Sequence, residues 1–196
     1  MRDEERLKYF IKTLARVWSE TVRELQKELR GIKSLNGTQK KEIVSWQPRE
    51  PGALHVYRRR KINGQTWIDL GFSNFLKPSH IKKKIKIVRD RAFTYEAEVE
   101  EVIDGDTLWC LVDLGFGVRT RQKLRLRGLN AAEIESWEGR EAKRYLAHKL
   151  PKRTRILILT TKTDKFDRYV ADLWLKGESV NEQLALSGRA RVVAYR

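Results

Sequence analysis

The sequence predicts an α+β fold in which a long helix and a small basic β-hairpin region precede a five-stranded barrel with inserted helices. Three observations predict this order. An apolar stripe at helical spacing opens the chain, a strong hairpin signal lies in the middle, and short apolar strands fill the second half. With 196 residues, of which 40% are hydrophobic, the chain can bury one core of ordinary size or two small ones.

The first element is an amphipathic helix over residues 3–31, and we assign residues 1–33 to it. Its apolar side chains recur every three or four positions, and Gly31 follows as a stop signal. They are Leu7, Ile11, Leu14, Trp18, Val22, Leu25 and Leu29. Two uses of this stripe stay open: packing against the chain's own core, or pairing with a second copy or a larger assembly.

Residues 34–92 are predicted to be a connector followed by a basic hairpin region. Residues 54–60 and 66–72 have the composition of strands, and Asn63-Gly64 between them is a strong signal for a two-residue turn. The first strand ends in three arginines, and residues 81–91 add further lysines among isoleucines. The side chains predicted to contact nucleic acid are Arg58, Arg59, Arg60, Lys61, Lys82, Lys83 and Lys84. The alternative is a solvated sheet edge that its lysines protect from pairing.

Positive charge is concentrated in the first half of the chain. The net charge is +16, and residues 1–92 hold 23 basic against 10 acidic side chains. Such a segment gains free energy when it releases counterions from a polyphosphate, so nucleic acid is the favoured partner. An anionic membrane surface, an acidic protein or a merely solubilising role are the alternatives.

Several protein classes are excluded or disfavoured by composition. No apolar run approaches the ~20 residues of a membrane span, and the N-terminus lacks the apolar stretch of a signal peptide, so we expect a cytoplasmic protein. Cys110 is the only cysteine, which excludes an internal disulfide and a thiolate zinc cage.

Residues 93–196 are predicted to form the barrel. The predicted strands are 96–102, 107–114, 119–127, 154–160 and 169–175, with helices over 139–150 and 180–187. Five strands with a helix inserted after the third describe a barrel of the OB type.

Three polar clusters punctuate these strands. Asp104 and Asp106 flank a glycine between the first two strands, and the third strand carries Arg125 and Arg127 before Asn130 and Glu133. Residues 164–168 form a third polar cluster ahead of the last strand. A carboxylate for a hard cation, a second for water and two arginines for phosphate are the parts of a phosphodiesterase.

Residues 95–195 resemble the staphylococcal nuclease (thermonuclease-like) family. Five segments match in the family's order: residues 102–107, 124–133, 139–142, 164–169, and 180–188 continuing to 194–195. The resemblance implies a calcium-dependent, largely sequence-nonspecific nuclease that acts on DNA, RNA or both, single-stranded or frayed. It also implies products with 3′-phosphate and 5′-hydroxyl ends. No role at a membrane is expected, because no apolar run is long enough to span a bilayer.

The resemblance also implies residue roles. Asp106 would be the carboxylate ligand of Ca²⁺, with the Ala131 carbonyl and the side chain of Asn130 beside it. Arg125 and Arg168 would bind the scissile phosphate, and Glu133 would orient or deprotonate the attacking water. Further substrate contacts are expected from Lys165, Tyr195 and Arg127.

Three positions differ from the family's pattern. Asn130 stands where a second metal-binding aspartate is usual, Ala132 replaces a proline, and Phe166 lacks a tyrosine hydroxyl. An amide oxygen still suits a hard cation, but one negative charge is removed. The alternative function is therefore a catalytically weak or inactive scaffold that binds nucleic acid.

Overall fold

A computed structural model describes residues 48–82, 84–88, 93–163 and 168–193. The predicted helix over 3–31 lies outside them. In chain order, the β-strands are β1 (Val56–Ile62), β2 (Gln65–Gly71), β3 (Asn74–Leu76), β4 (Lys86–Ile87), β5 (Thr94–Val102), β6 (Thr107–Asp113), β7 (Arg119–Leu126), β8 (Leu129–Ala131), β9 (Arg155–Thr163), β10 (Tyr169–Leu175), β11 (Glu178–Ser179) and β12 (Ala190–Val192). The α-helices are α1 (Trp137–Lys149) and α2 (Val180–Leu186), and a 3-10 turn covers Pro78–His80.

The described residues include a hairpin at the predicted position. Strands β1 and β2 pair antiparallel up to the Ile62–Gln65 pair, which leaves Asn63 and Gly64 as a two-residue turn. Both turn residues have positive φ, 50° and 77°, as the tight hairpin turn requires. Strand β3 extends the sheet beyond β2, and β4 adds to β1 in parallel, so the sheet has the order β3-β2-β1-β4.

The predicted barrel is confirmed as a closed ring of five strands. Its antiparallel pairs are β5 with β6, β6 with β7, β9 with β10 and β5 with β9. Strands β7 and β10 pair in parallel and close the ring. Helix α1 lies between β8 and β9 in the chain, after the third barrel strand, as expected for an OB-type barrel.

Helix α1 begins two residues earlier than the sequence pattern suggests. The Ser136 hydroxyl accepts a hydrogen bond from the Gly139 N–H at 2.9 Å, which caps the helix before Trp137. In the same way, the Ser179 hydroxyl accepts from the Glu182 N–H at 3.2 Å and caps α2. The two short strands β8 and β12 pair antiparallel beside the barrel.

The hairpin sheet and the barrel share one hydrophobic core. The Phe72 ring lies 4.4 Å from the Tyr169 ring and 5.2 Å from the Tyr95 ring, measured between centroids. Buried hydroxyls fasten the two parts: Tyr57 donates to the Leu114 carbonyl at 2.9 Å, and Tyr95 donates to the Leu70 carbonyl at 2.8 Å. The hairpin region therefore packs against the barrel instead of standing free of it.

No helix within the described ranges has the length and apolarity needed to span a membrane.

Candidate active site

One cleft of about 440 Å³ brings together the four side chains predicted to carry the chemistry, Asp106, Arg125, Glu133 and Arg168. Asp106 lies in the turn before β6, and Arg125 lies on β7. Glu133 follows β8, and Arg168 immediately precedes β10. The other residues that line the cleft are Asp104, Lys123, Asn130, Ala131, Ala132 and Ile134.

The pairing of three strands explains why the two arginines meet. Arg125 on β7 is in register with Thr107 on β6 and with Val170 on β10. Because side chains alternate along a strand, Arg168, two residues before Val170, falls on the same side of the barrel as Arg125. Arg168 Nη1 donates a long hydrogen bond, 3.4 Å, to the hydroxyl of Thr107, the register partner of Arg125 on β6.

The Asp106 carboxylate is buried, and both of its oxygens accept hydrogen bonds. Its Oδ1 accepts from Arg125 Nη1 and from the Thr107 hydroxyl, and its Oδ2 accepts from the Ala131 N–H at 2.7 Å. Burial raises the pKa of this carboxyl above its usual range, while the Ala131 N–H and the Arg125 charge act in the opposite direction. The Asp104 carboxylate accepts from the Asp106 N–H at 2.9 Å and holds the turn.

Asn130 is exposed and lies beside Arg125. Arg125 Nη2 donates to Asn130 Oδ1 at 2.7 Å and to the Leu129 carbonyl at 3.2 Å. Since Nη1 contacts Asp106, the guanidinium lies between the two side chains predicted to hold the cation. These bonds orient Arg125 before any substrate is present.

Glu133 is an exposed side chain at the cleft, and its backbone is fixed by helix α1. The Glu133 carbonyl accepts from the Ser136 N–H at 3.0 Å and from the Ser136 hydroxyl at 2.7 Å. Gly139 packs against the same carbonyl so closely that a Cβ there would lie 1.9 Å from the oxygen. A larger residue at position 139 would therefore displace Glu133.

The comparison with known protein families bears on residues 123–196. This segment matches the family Staphylococcal nuclease homologue. It contains Arg125, Asn130, Glu133 and Arg168, whereas Asp106 precedes it. No curated protein matches the chain in a sequence search.

Residues 123–196 therefore match the staphylococcal nuclease homologue family, and the predicted resemblance is confirmed over that segment. This family consists in general of calcium-dependent nucleases.

The oxygen donors of the cleft suit a hard cation in type. Carboxylates of Asp104, Asp106 and Glu133, the amide of Asn130 and the Ala131 backbone all line it. In the described part of the chain, however, no three acidic, histidine or cysteine side chains are grouped closely enough to hold a metal. A cation at Asp106 and Asn130 would also have to share their oxygens with Arg125.

The Arg127 side chain does not lie where a substrate contact was predicted. Arg127 follows the last residue of β7, and its Nε donates to Asp172 Oδ2 at 2.6 Å in a nearly buried ion pair. Its side chain does not line the cleft, so the prediction of a direct substrate contact has no geometric support. The Arg127 guanidinium instead pairs with the buried carboxylate of Asp172. Strand β7 ends at Leu126, so the alternation that aligns Arg125 with Lys123 does not extend to Arg127.

Two predicted substrate contacts, Lys165 and Tyr195, fall outside the described residues, as does Phe166. Sequence reasoning also gave no role to Thr107 and Lys123. Thr107 bonds to both Asp106 and Arg168, and Lys123 lines the cleft. Lys123 stands two residues before Arg125, so alternation along the strand predicts that both lie on one face, and that signal was sufficient to include it.

The basic residues of the hairpin divide into two groups. Arg58 and Arg60 both approach Asp69 Oδ2 at 3.3 Å, and Arg58 also lies 4.6 Å above the Phe93 ring. The second group is exposed and comprises Arg59, Lys61, Lys82 and Lys84, and Lys83 lies outside the described residues. Asp69 is in register with Arg58 across the hairpin, a pairing that the Asn63-Gly64 turn already implied.

Proposed function

We propose that this protein is a calcium-dependent, largely sequence-nonspecific nuclease that hydrolyses phosphodiester bonds of DNA, RNA or both. The observation that carries this proposal is the convergence of two guanidiniums and two carboxylates in one cleft. Arg125 and Arg168 supply positive charge on one side of the barrel, and Asp106 and Glu133 line the same cleft.

The charge of the two arginines, and their place in one cleft, support a role in binding phosphate. A phosphodiester concentrates negative charge on its equatorial oxygens as the nucleophile adds, so guanidiniums already in place stabilise the transition state more than the ground state. Asp106 and Asn130 fix Arg125 from two directions, which lowers the entropy that substrate binding must remove. A lysine would supply the charge without the planar, bidentate grip.

In this proposal Glu133 orients the attacking water or takes its proton. The water oxygen forms the new bond to phosphorus, and the bond from phosphorus to the 5′ oxygen breaks. The products are then a 3′-phosphate and a 5′-hydroxyl. The exposure of Glu133 at the cleft gives water access to it, and its backbone anchor at Ser136 keeps it in reach.

Ca²⁺ is the proposed cofactor, held by Asp106, Asn130 and the Ala131 carbonyl. When bound, it would supply positive charge to the phosphate oxygens and lower the pKa of a bound water. The cation and the two arginines would contact the phosphate and sugar of the substrate and not the edges of its bases, so we expect little sequence preference.

The test is cleavage of single-stranded DNA and RNA in millimolar calcium and in excess chelator. We expect shortening of both that needs calcium and disappears in Arg125→Ala and Glu133→Gln. End analysis should find 3′-phosphates. Binding without cleavage throughout this series would contradict the proposal.

One observation favours the second candidate, a nucleic-acid-binding scaffold without catalysis. Asn130 replaces a carboxylate at the proposed metal site, and its amide oxygen already accepts a bond from Arg125. Against this alternative stands the presence in the cleft of both arginines and both carboxylates that hydrolysis needs.

A further inference from the structure

Strand β7 carries a row of cations that continues from the cleft. Arg119, Arg121, Lys123 and Arg125 occupy alternate positions of one strand, so their side chains leave the same outer face of the barrel. The residues between the last three point the other way: Leu124 is buried in the core, and Gln122 is half-buried. The row ends at Arg125, inside the proposed active site.

The distance between neighbouring cations of this row matches the distance between neighbouring phosphates of an extended nucleic-acid strand, because both are separated by the same number of backbone bonds. Two peptide residues and one nucleotide each place six backbone bonds between equivalent atoms. An antiparallel strand advances about 3.4 Å per residue, so consecutive cations of the row stand about 7 Å apart. A fully extended peptide spans at most about 3.6 Å for every three backbone bonds. One extended nucleotide, with six backbone bonds, should therefore span nearly the same distance as two extended peptide residues.

Lys123 is the member best placed to hold the phosphate next to the scissile one. It lines the cleft with Arg125 and Arg168, and within the described ranges it makes no ion pair with a carboxylate. Its ammonium lies 5.3 Å from the ring centroid of Trp109, its register partner on β6. A cation over an indole ring is held in position without being neutralised.

The outer two cations have carboxylate residues next to them and should contribute less. The Arg121 guanidinium lies 4.0 Å from the Trp109 ring and its Nε donates to Glu100 at 2.6 Å. Arg119 is exposed and stands in register with Asp113. Arg121 and Arg119 therefore extend the row while keeping carboxylates beside it.

We propose that the outer face of β7 is a binding track for single-stranded nucleic acid, in which Lys123, Arg121 and Arg119 hold successive phosphates beyond the one at Arg125. The proposal rests on the nuclease function proposed above for the end of the track. A single strand can stay extended along eight residues of β-strand. One strand of a duplex advances only ~3.4 Å per nucleotide along its axis and winds away from a straight row.

The experiment separates the track from the chemistry by substrate length. Full-length protein and its Lys123→Ala and Arg121→Ala variants are compared on a dinucleotide, which has only the scissile phosphate, and on a single-stranded octanucleotide. We expect the ratio of kcat/KM for the octanucleotide to that for the dinucleotide to fall roughly fivefold to tenfold in Lys123→Ala at about 50 mM salt, and less in Arg121→Ala. Lys152→Ala, an exposed lysine before β9, should keep the ratio of the parent protein.

Binding is measured separately in a Glu133→Gln background, with fluorescent octanucleotide and with a blunt duplex of the same sequence. Lys123→Ala should lower the salt slope for the single strand by about 0.7, the value for one phosphate neutralised. Lys123→Arg should restore it. An equal loss for duplex, or an unchanged slope and length ratio, overturns the track. If no substrate is cleaved, the nuclease proposal fails, while the binding slopes still decide the track.

Discussion

The Asp106 carboxylate and the Arg125 guanidinium form an ion pair inside the cleft, although one is proposed to bind the metal and the other the phosphate. Arg125 also donates to Asn130, so it contacts both side-chain oxygens proposed for the cation. Cation and guanidinium therefore compete for the same oxygens. We expect metal binding and phosphate binding to be coupled through the position of Arg125.

Restoring a carboxylate at position 130 should strengthen calcium binding. Asn130→Asp adds one negative charge beside the proposed ion, and a charge pair at about 4 Å is worth about 4 kcal/mol at an effective dielectric of ~20. If about a third of that survives hydration, the calcium concentration for half-maximal cleavage falls on the order of tenfold. A calcium titration of cleavage measures this, with Asn130→Ala as the variant expected to need more calcium. An identical requirement in all three proteins would place Asn130 away from the ion.

The two arginines of the cleft should differ in their effect on stability. Arg125→Ala leaves the Asp106 carboxylate, 4% exposed in its side chain, without the guanidinium that pairs with it. We expect a loss of about 3–5 kcal/mol in the free energy of unfolding, as for other broken buried pairs. Arg168→Ala should cost less, because the Asp106 carboxylate keeps its bond from Arg125 in that variant.

Both arginine variants should lose activity by a factor on the order of 10² or more, the usual effect of deleting a group that stabilises the transition state. Denaturant unfolding and single-turnover cleavage separate the two effects. Glu133→Gln is the matched control, because this exposed residue should change activity and leave stability unaltered. Equal destabilisation by Arg125→Ala and Arg168→Ala would contradict the pairing of Arg125 with Asp106.

Arg127 should act on folding through Asp172 and not on substrate directly. Asp172 is fully buried, and burial raises the pKa of its carboxyl while the Arg127 bond and charge lower it. Arg127→Met alone should cost about 3–5 kcal/mol, because it leaves that carboxylate buried without its guanidinium. The double variant Arg127→Met with Asp172→Leu should recover most of the loss. Thermal unfolding of the four proteins in this cycle gives the coupling energy, and additive losses would mean that the pair does not form.

The exposed cations of the hairpin region should supply part of the salt dependence of binding. Replacing Arg59, Lys61, Lys82 and Lys84 together with glutamine should reduce the salt slope by about 0.7 for each phosphate that these side chains neutralise. The cleavage rate on a dinucleotide should stay at the parent value. Four exposed cations away from the cleft serve as the control: Lys152, Arg155, Lys176 and Arg144. Point changes suit this test better than deletion, because the hairpin sheet shares its core with the barrel.

Cys110 should be inert toward thiol reagents in the folded protein. It is fully buried on β6, and burial, with the Glu100 charge, raises the pKa of its thiol from 9.0 to about 12. A disulfide reagent at about pH 8 should therefore react at least ~100-fold more slowly with the folded protein than with the protein in denaturant. Above pH 9.0 the unfolded chain releases this proton first, so the contribution of Cys110 to stability falls between pH 9.0 and about 12. Rapid labelling of native protein would show that β6 opens readily.

The sequence was enough to predict the local elements and the order of the motifs. The Asn63-Gly64 turn, the five barrel strands and the two helices of the barrel all follow from short-range signals, namely turn residues, alternation and helical spacing. The family match covers residues 123–196, which contain four of the five segments on which the resemblance rests. The resemblance to the nuclease family, carried by the matching segments, also named in advance four residues that line the cleft: Asp106, Arg125, Glu133 and Arg168.

Only the tertiary structure decided which cations reach the cleft. Alternation places Arg125 and Arg127 on one face only while the strand lasts, and β7 ends at Leu126. Beyond it, Arg127 turns to Asp172, a buried carboxylate 45 residues away in the chain. Such a partner depends on the parallel pairing of β7 with β10, which is set by closure of the whole barrel and by burial of its core, not by any signal near residue 127.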